Sequence, residues 1–239
     1  MTAKDFTFNP LKLFSPRHLR HEMEHEELAA KEVCEGIDLT EGLLITVSKL
    51  IEMTQLLSKY VMSGAGAQCE RCSHLAEEVH KQEQILTQCM LGAEVTGEVL
   101  KGVIRFPYRL ERVGDMLEAI QECSRVKAAK DIPFSDKAYG ELDSMFGLLL
   151  EMLNHLRDAF KTPHKETLEA IATKGARLID LTEEYKLAHW ERLEAGFCHI
   201  GASSMYRAML DSFKGASEYV LKMGASLRLL AEAGPQASA

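Results

Sequence analysis

Residues 109–120 read RLERVGDMLEAI, and on an α-helix this stretch separates into an apolar strip and an acidic strip. Apolar side chains recur at the three- and four-residue spacing that places them on one helix face, at Leu110, Val113, Leu117 and Ile120. Carboxylates follow one another at a similar spacing, at Glu111, Asp115, Glu118 and Glu122. At about 100° per residue, the acids lie on the flank of the apolar strip. The pattern predicts a helix that buries one strip in a bundle and carries the acids beside it.

The acidic strip needs a physical reason, because like charges one helical turn apart repel each other. One reason is a metal ion, since hard cations are bound by carboxylate oxygens. The alternative is an ordinary solvated face. Gly114 lies between the two strips, and a glycine inside a helix costs about 1 kcal/mol relative to alanine. It therefore predicts a close approach by another part of the chain.

Composition limits the classes of protein to which this chain can belong. Its 239 residues are rich in good helix formers and contain no alternating β-branched runs, which predicts an all-α fold. The formal net charge of −8 argues against nucleic acid as a partner, because phosphate backbones are bound by basic surfaces. No apolar run is long enough to span a membrane, and the first residues lack the apolar core of a secretory signal. We therefore expect a cytoplasmic protein that meets a membrane only through partners.

Helical periodicity and chain breakers divide the sequence into six long helices, and the third is expected to bend near Pro107. Their predicted ranges are 38–61, 69–91, 96–129, 137–160, 165–194 and 203–233. Residues 1–35 form a charged extension with an additional predicted helix, in which His18, His21 and His25 share a face. The predicted domains are a three-helix bundle over 36–130, a second over 131–225, and a C-terminal tail over 226–239.

The two halves of the chain show signs of an internal duplication. A shift of 100 residues places Leu110 on Leu210 and Val113 on Phe213, so the apolar strip recurs in the last helix of each half. The same shift places Glu111 on Asp211, but Asp115 meets a glycine. The second half therefore keeps the apolar strip and only part of the acidic strip.

The stretch Leu110-Glu111-Arg112-Val113-Gly114-Asp115, followed by Ala119-Ile120, resembles the Leu-Glu-Arg-Ile-Gly-Asp signature of the PhoU family of phosphate-uptake regulators. In architecture the resemblance covers roughly residues 36–225, and it is to a divergent member. It implies two tandem three-helix bundles. It also implies a regulator or accessory protein of phosphate transport, with a phosphate transporter or a sensor kinase as its partner.

The resemblance also implies metal binding by the Glu-x-x-x-Asp pair, here Glu111 and Asp115, with iron or zinc as the metal ion. Asp211 is the remaining acid of the second copy, which would hold metal weakly because its second acid is missing. Two carboxylates alone bind a hard ion weakly, so a useful site needs further oxygen ligands. Asp211 is one candidate, and in a homodimer the neighbouring subunit's carboxylates are another.

Two other interpretations remain open. Di-iron helical bundles use paired Glu-x-x-His motifs, which occur here at Glu22–His25 and Glu77–His80. The chain could instead be a metal-free helical adaptor that offers an apolar, methionine-containing face to a partner. We find no nucleophile elbow and no phosphate-binding glycine loop, so we do not expect an enzyme.

Overall fold

The computed structural model describes residues 38–64, 67–92 and 102–233. The predicted N-terminal helix, with His18, His21 and His25, lies outside these ranges. The described residues form six helices and no strand, which confirms the all-α prediction. The helices are α1 (Leu39–Ser63), α2 (Ala67–Gly92), α3 (Phe106–Ala129), α4 (Asp136–Lys161), α5 (Lys165–Glu194) and α6 (Ile200–Ala233).

The ends of the first helix follow from its local sequence. Asp38 precedes α1 in an extended conformation, and its carboxylate accepts hydrogen bonds from the backbone N–H groups of Thr40 and Glu41. These bonds satisfy two amides that have no partner inside the helix. Gly64 ends α1 in the left-handed conformation, with φ of 71°, which glycine adopts without steric cost.

The third helix differs from its prediction. Residues 102 and 103 are helical, residues 104 and 105 form a turn, and α3 begins at Phe106 with Pro107 in its first turn. The helix predicted over 96–129 is therefore interrupted just before Pro107, close to the predicted bend. A proline in the first turn costs no hydrogen bond, because the amide it lacks would have had no helical partner there. Between α3 and α4, Ser135 caps α4, with its Oγ accepting from the Ala138 amide.

The helices pack as two three-helix bundles, α1–α3 and α4–α6, which meet where α3 contacts α6 and α1 contacts α4. The boundary predicted at residues 130 and 131 falls between α3 and α4, and α6 continues into the predicted tail as far as Ala233. One apolar core runs through both bundles. The predicted strip of α3 is fully buried in it, at Leu110, Val113, Leu117 and Ile120. Burying one such side chain stabilises the fold by about 1.5–3 kcal/mol.

Candidate functional site

The acidic flank of α3 faces α2, and a histidine from α2 contacts its first carboxylate. His80 Nδ1 lies 2.6 Å from Glu111 Oε1, and the Gln84 side-chain nitrogen lies 3.1 Å from the other ring nitrogen of His80. His80 thus links Gln84 on its own helix to Glu111 on α3. His80 itself is at the surface, with 57% of its side chain exposed.

Arg112 binds both acids of the Glu-x-x-x-Asp pair. One guanidinium nitrogen donates to Glu111 Oε2 at 2.9 Å, and another lies 2.7 Å from Asp115 Oδ2. The same guanidinium lies over the ring of Tyr108, with 5.2 Å between its central carbon and the ring centroid. Glu111 thus has both carboxylate oxygens occupied, and only 12% of its side chain is exposed.

These contacts shift the pKa of Glu111. Burial on its own raises the pKa of this carboxyl, because it disfavours the charged form. Hydrogen bonds from His80 and Arg112 act in the opposite direction and outweigh burial, so the pKa lies below its ordinary value. Glu111 is therefore ionised at neutral pH.

The remaining acids of this surface repel one another. Burial raises the pKa of Asp115, and the nearby charge of Glu111 raises it further, although Arg112 opposes both effects. The pKa of Glu118 is also raised, by burial first and then by the charges of Asp115 and Glu77. We call Glu77, Glu111, Asp115 and Glu118 the acidic cluster. Arg112 contacts only two of its four carboxylates, Glu111 and Asp115, so the field of the cluster is negative at neutral pH.

Asp211 lies in different surroundings, on α6 of the second bundle. Its Oδ1 is 2.5 Å from Lys186 Nζ on α5, and 58% of the Asp211 side chain is exposed. Glu183 lies next to this pair and contacts both Lys186 and Lys214. Acids and lysines therefore alternate on the surface of α5 and α6. The first bundle, in contrast, carries its acidic cluster on α2 and α3.

The arrangement of the six helices can be compared with known structures. The structure of PhoU from Pseudomonas aeruginosa is similar, with a TM-score of 0.72 over 82% of this chain and 96% of that one. The fold is PhoU-like. Sequence identity to that protein is 11%, which agrees with the expected divergence. No protein-family model and no curated protein matches the chain by sequence.

The PhoU-like fold thus presents the Glu-x-x-x-Asp pair on a helix surface, but the side chains as arranged do not fit a metal ion. Arg112 occupies the position between Glu111 and Asp115 that a shared cation would take. Within residues 38–64, 67–92 and 102–233, no three histidine, cysteine or carboxylate side chains are grouped so that they could hold a metal ion. Glu111, Asp115 and Asp211 therefore do not form a common site, and metal binding at them stays a prediction.

The di-iron interpretation receives no support from the part of the chain that the structure describes. Its ligands would have to project into the core of a bundle. Glu77 and His80 are instead exposed on α2, and His80 is hydrogen-bonded to Glu111. The other motif, Glu22–His25, lies outside the described residues.

Sequence reasoning missed a buried polar network in the second bundle of the PhoU-like fold. Glu141 on α4 is only 2% exposed, and its two oxygens accept hydrogen bonds from Arg192 on α5, at 2.9 and 2.7 Å. The Tyr206 hydroxyl on α6 also donates to Glu141, and the Tyr206 ring lies 4.8 Å from that of His189. Burial and then Glu141 raise the pKa of Tyr206, which is therefore a donor at all ordinary pH values. One feature of the sequence could have indicated this network. Glu141 lies on the same helix face as the apolar residues Ala138, Leu142 and Met145.

Proposed function

We propose that this chain is a cytoplasmic regulator or accessory protein of phosphate transport that acts by contact with another protein. The observation that carries the proposal is the six-helix likeness to PhoU over most of both chains. The signature at residues 110–115 supports it, because its acids lie together on the surface of α3. Within the described ranges, no helix has the length and apolarity needed to cross a bilayer, which fits a protein that reaches a transporter from outside the membrane.

The acidic cluster is the surface we propose for this contact. Glu77 and Glu118 are exposed at its edge, and both raise the local negative charge. Such a surface attracts a basic partner surface and steers the encounter. The proposed partner is accordingly a basic cytoplasmic face of a phosphate transporter or of a sensor kinase.

Metal binding is not needed for this mode of action. Arg112 already neutralises part of the charge that a cation would neutralise, which favours the metal-free adaptor form of the proposal. Elemental analysis of the purified protein tests the point, with the double variant Glu111→Gln, Asp115→Asn as its comparison. Iron or zinc in the native protein that the double variant lacks would restore the metal-dependent form.

The functional claim is tested by phosphate uptake and by the phosphate-starvation response in a strain that lacks the gene. We expect both to change on deletion and to be restored by the native gene. Unchanged uptake together with an unchanged starvation response would contradict the proposal.

The contact surface is tested by a matched pair of charge reversals. Glu118→Lys removes a carboxylate that its neighbours repel, so the variant should fold at least as well as the native protein. We expect it to fail to restore regulation. Glu166→Lys makes the same change at an exposed position of the second bundle and should restore it. Full restoration by Glu118→Lys would exclude the acidic cluster as the contact surface.

A further inference from the structure

Large apolar side chains are exposed at one end of the second bundle, where α5 turns into α6. Phe197 lies in the turn and Ile200 is the first residue of α6, and each is 78% exposed. Trp190 lies one helical turn before the end of α5 and is 51% exposed. We call these three residues the apolar tip. Exposed apolar side chains at one place on a surface mark a contact with a protein or a membrane, because water solvates them poorly.

Local hydrogen bonds set the position of the apolar tip. Gly196 ends α5 in the left-handed conformation, with φ of 75°, and the Phe197 backbone N–H donates to the Arg192 carbonyl at 2.8 Å. This closure of the helix fixes the point at which the Phe197 side chain leaves the backbone. The indole N–H of Trp190 donates to Glu194 at 2.9 Å, so its polar edge has a partner on its own helix while its ring stays exposed.

The chain itself offers little that could cover the apolar tip. Helices that follow one another are antiparallel, so their turns alternate between two ends of the molecule. Gly201, beside the tip, lies next to Ile132 in the α3–α4 turn, whereas Gly102 lies next to Leu230 near the other end of α6. With 34 residues, α6 separates these ends by about 50 Å. Three of the four segments outside the described ranges join the helices at the far end: residues 1–37, 93–101 and 234–239. The fourth, at the near end, has only two residues.

The apolar tip is too small to hold two copies of this chain together. From their exposed fractions, its three side chains offer on the order of 400 Å² of apolar surface. That is half of the roughly 800 Å² that each partner buries in a stable protein complex. A few protruding apolar side chains are sufficient for a fluid lipid surface, which adapts its shape to them and needs no matching protein face.

The charges beside the apolar tip indicate which lipid surface it suits. In the α3–α4 and α5–α6 turns, the exposed acids outnumber the exposed lysines and arginines, so no positive surface attracts anionic headgroups. These residues are the lysines Lys130 and Lys137 and the acids Asp131, Asp136, Glu191 and Glu194. Headgroups without net charge avoid the repulsion that anionic headgroups would meet here.

We propose that the apolar tip inserts into the interface of a zwitterionic lipid bilayer. Phe197 and Ile200 would enter the boundary of the acyl chains, and Trp190 would lie at the level of the headgroups, where tryptophan is favoured. Three side chains give weak and reversible binding. The contact goes beyond the proposed function, because it needs lipid alone and neither a transporter nor a kinase.

Fluorescence tests the proposal directly, because Trp190 is the one tryptophan of the chain. The purified full chain is titrated with protein-free vesicles of dioleoylphosphatidylcholine. We expect half-saturation at about 1 mM lipid, some tenfold weaker than a single myristoyl chain. The emission should move to shorter wavelength, and brominated acyl chains should quench it. Adding phosphatidylglycerol to the vesicles should weaken binding, since the chain has a net charge of −8.

A matched pair of double variants locates the contact. Phe197→Ser, Ile200→Ser removes two exposed side chains of the apolar tip and should weaken vesicle binding at least about 10-fold. Leu91→Ser, Leu229→Ser removes two leucines that are 68% and 65% exposed at the far end, and should bind like the native protein. Circular dichroism checks the fold of both. If the first variant fails to fold, quenching of native Trp190 by brominated lipid still decides the test.

Four results would overturn the proposal: no binding to phosphatidylcholine vesicles at about 5 mM lipid, binding without quenching of Trp190, equal losses in the two double variants, or binding to anionic vesicles only. The first of these would leave a protein as the occupant of the apolar tip. The vesicles contain neither transporter nor phosphate, so no outcome bears on the proposed role in phosphate transport, which is measured in cells.

Discussion

The two bundles share one architecture but place their charged groups differently. In the first bundle, the acidic cluster lies on the surface of α2 and α3, where Arg112 contacts Glu111 and Asp115. In the second bundle, one charged network is buried, where Glu141 joins Arg192 and Tyr206 between three helices. The same three-helix unit thus carries its charged groups at the solvent-facing surface in one copy and as a buried hydrogen-bonded network in the other.

The difference has a simple electrostatic origin. Water screens charges at a surface, so an exposed ion pair contributes about 0–1 kcal/mol to stability. A charge inside the fold cannot be left without its partner, because water no longer solvates it. The acidic cluster can therefore change at little cost to stability, whereas the loss of one member of the network around Glu141 leaves another buried without its counter-charge.

The largest effect is expected when Glu141 is replaced. Glu141→Gln keeps the shape of the side chain and leaves the buried guanidinium of Arg192 without its counter-charge. We expect the free energy of unfolding to fall by about 3–5 kcal/mol, the usual cost of breaking a buried ion pair. Urea unfolding followed by circular dichroism measures it.

A double variant separates the buried charge from the packing. Glu141→Leu, Arg192→Leu removes both charges at once, so it should be more stable than Glu141→Gln. If Glu141→Gln lost less than about 1 kcal/mol, the network would be no more important than a surface pair, and the contrast between the bundles would fail.

The sequence was sufficient for the fold because the fold depends on local signals. Apolar spacing located the helices, and short capping residues such as Asp38 and Ser135 set their first turns. The position of the interruption near Pro107 was predictable, but not whether the helix would bend or restart there, because a proline inside a helical pattern and one that starts a helix look alike when the preceding residues are also good helix formers.

The candidate site was only partly predictable, because its contacts join residues that are distant in sequence. Periodicity placed Glu111 and Asp115 on one flank of α3, which the structure shows. It did not reveal that His80 would reach Glu111 from another helix, or that Arg112 would bind both acids. Glu141 and Arg192 are separated by 51 positions, and nothing in the spacing of either residue indicates the other.

The two bundles also differ in the space around a helical glycine. Gly175 in α5 has no space for a side chain, since an added Cβ would lie 2.5 Å from Leu221 Cδ2 and 2.6 Å from its Cγ. Gly114 in α3 does have space, because its Cβ would lie 3.5 Å from the nearest atom, on Val79. The close approach expected at Gly114 from the sequence is therefore no tighter than ordinary van der Waals contact.

Alanine should act in opposite directions at these two glycines. Gly175→Ala should lower the free energy of unfolding by about 1–3 kcal/mol through overpacking against Leu221. Gly114→Ala should raise it by up to about 1 kcal/mol through helix propensity. The urea midpoints of the two variants, measured together, test whether the changes in free energy of unfolding are opposite. A destabilised Gly114→Ala would show that the first bundle is packed as tightly there as the second is at Gly175.

The acidic cluster itself should respond to pH in two opposite ways. The pKa of Glu111 is lowered in the folded state, so its stabilising contribution is present above its unfolded pKa of about 4.3 and is lost as pH falls below that value. The pKa of Glu118 is raised, so the unfolded chain releases this proton first as pH rises, and the ionised carboxylate then costs stability.

Glutamine at each position isolates these contributions. At pH 7, Glu111→Gln should lose about 1 kcal/mol, because one of the partners of this shielded carboxylate, His80, is itself 57% exposed and contributes little. Glu118→Gln should gain a few tenths of a kcal/mol. When urea unfolding is repeated at lower pH, the gain in Glu118→Gln should shrink as pH falls through the unfolded pKa, whereas the loss in Glu111→Gln should vanish only as pH falls further, through the lower pKa of the folded state. If both variants lost free energy of unfolding, the carboxylate of Glu118 would stabilise the fold as that of Glu111 does, contrary to the repulsion described above.

The smallest effect is expected at Asp211, which tests whether the surface of the second bundle behaves like that of the first. Asp211 is more exposed than Glu111, and its partner Lys186 keeps a second contact with Glu183. Asp211→Asn should therefore lower the free energy of unfolding by no more than about 0.5 kcal/mol, and high salt should remove that loss. The loss in Glu111→Gln should persist in salt, because its partners bind a carboxylate that is largely shielded from solvent. A loss at Asp211 as large and as insensitive to salt as that at Glu111 would mean that the two surfaces are equally ordered, and the acidic cluster would no longer stand apart as the proposed contact surface.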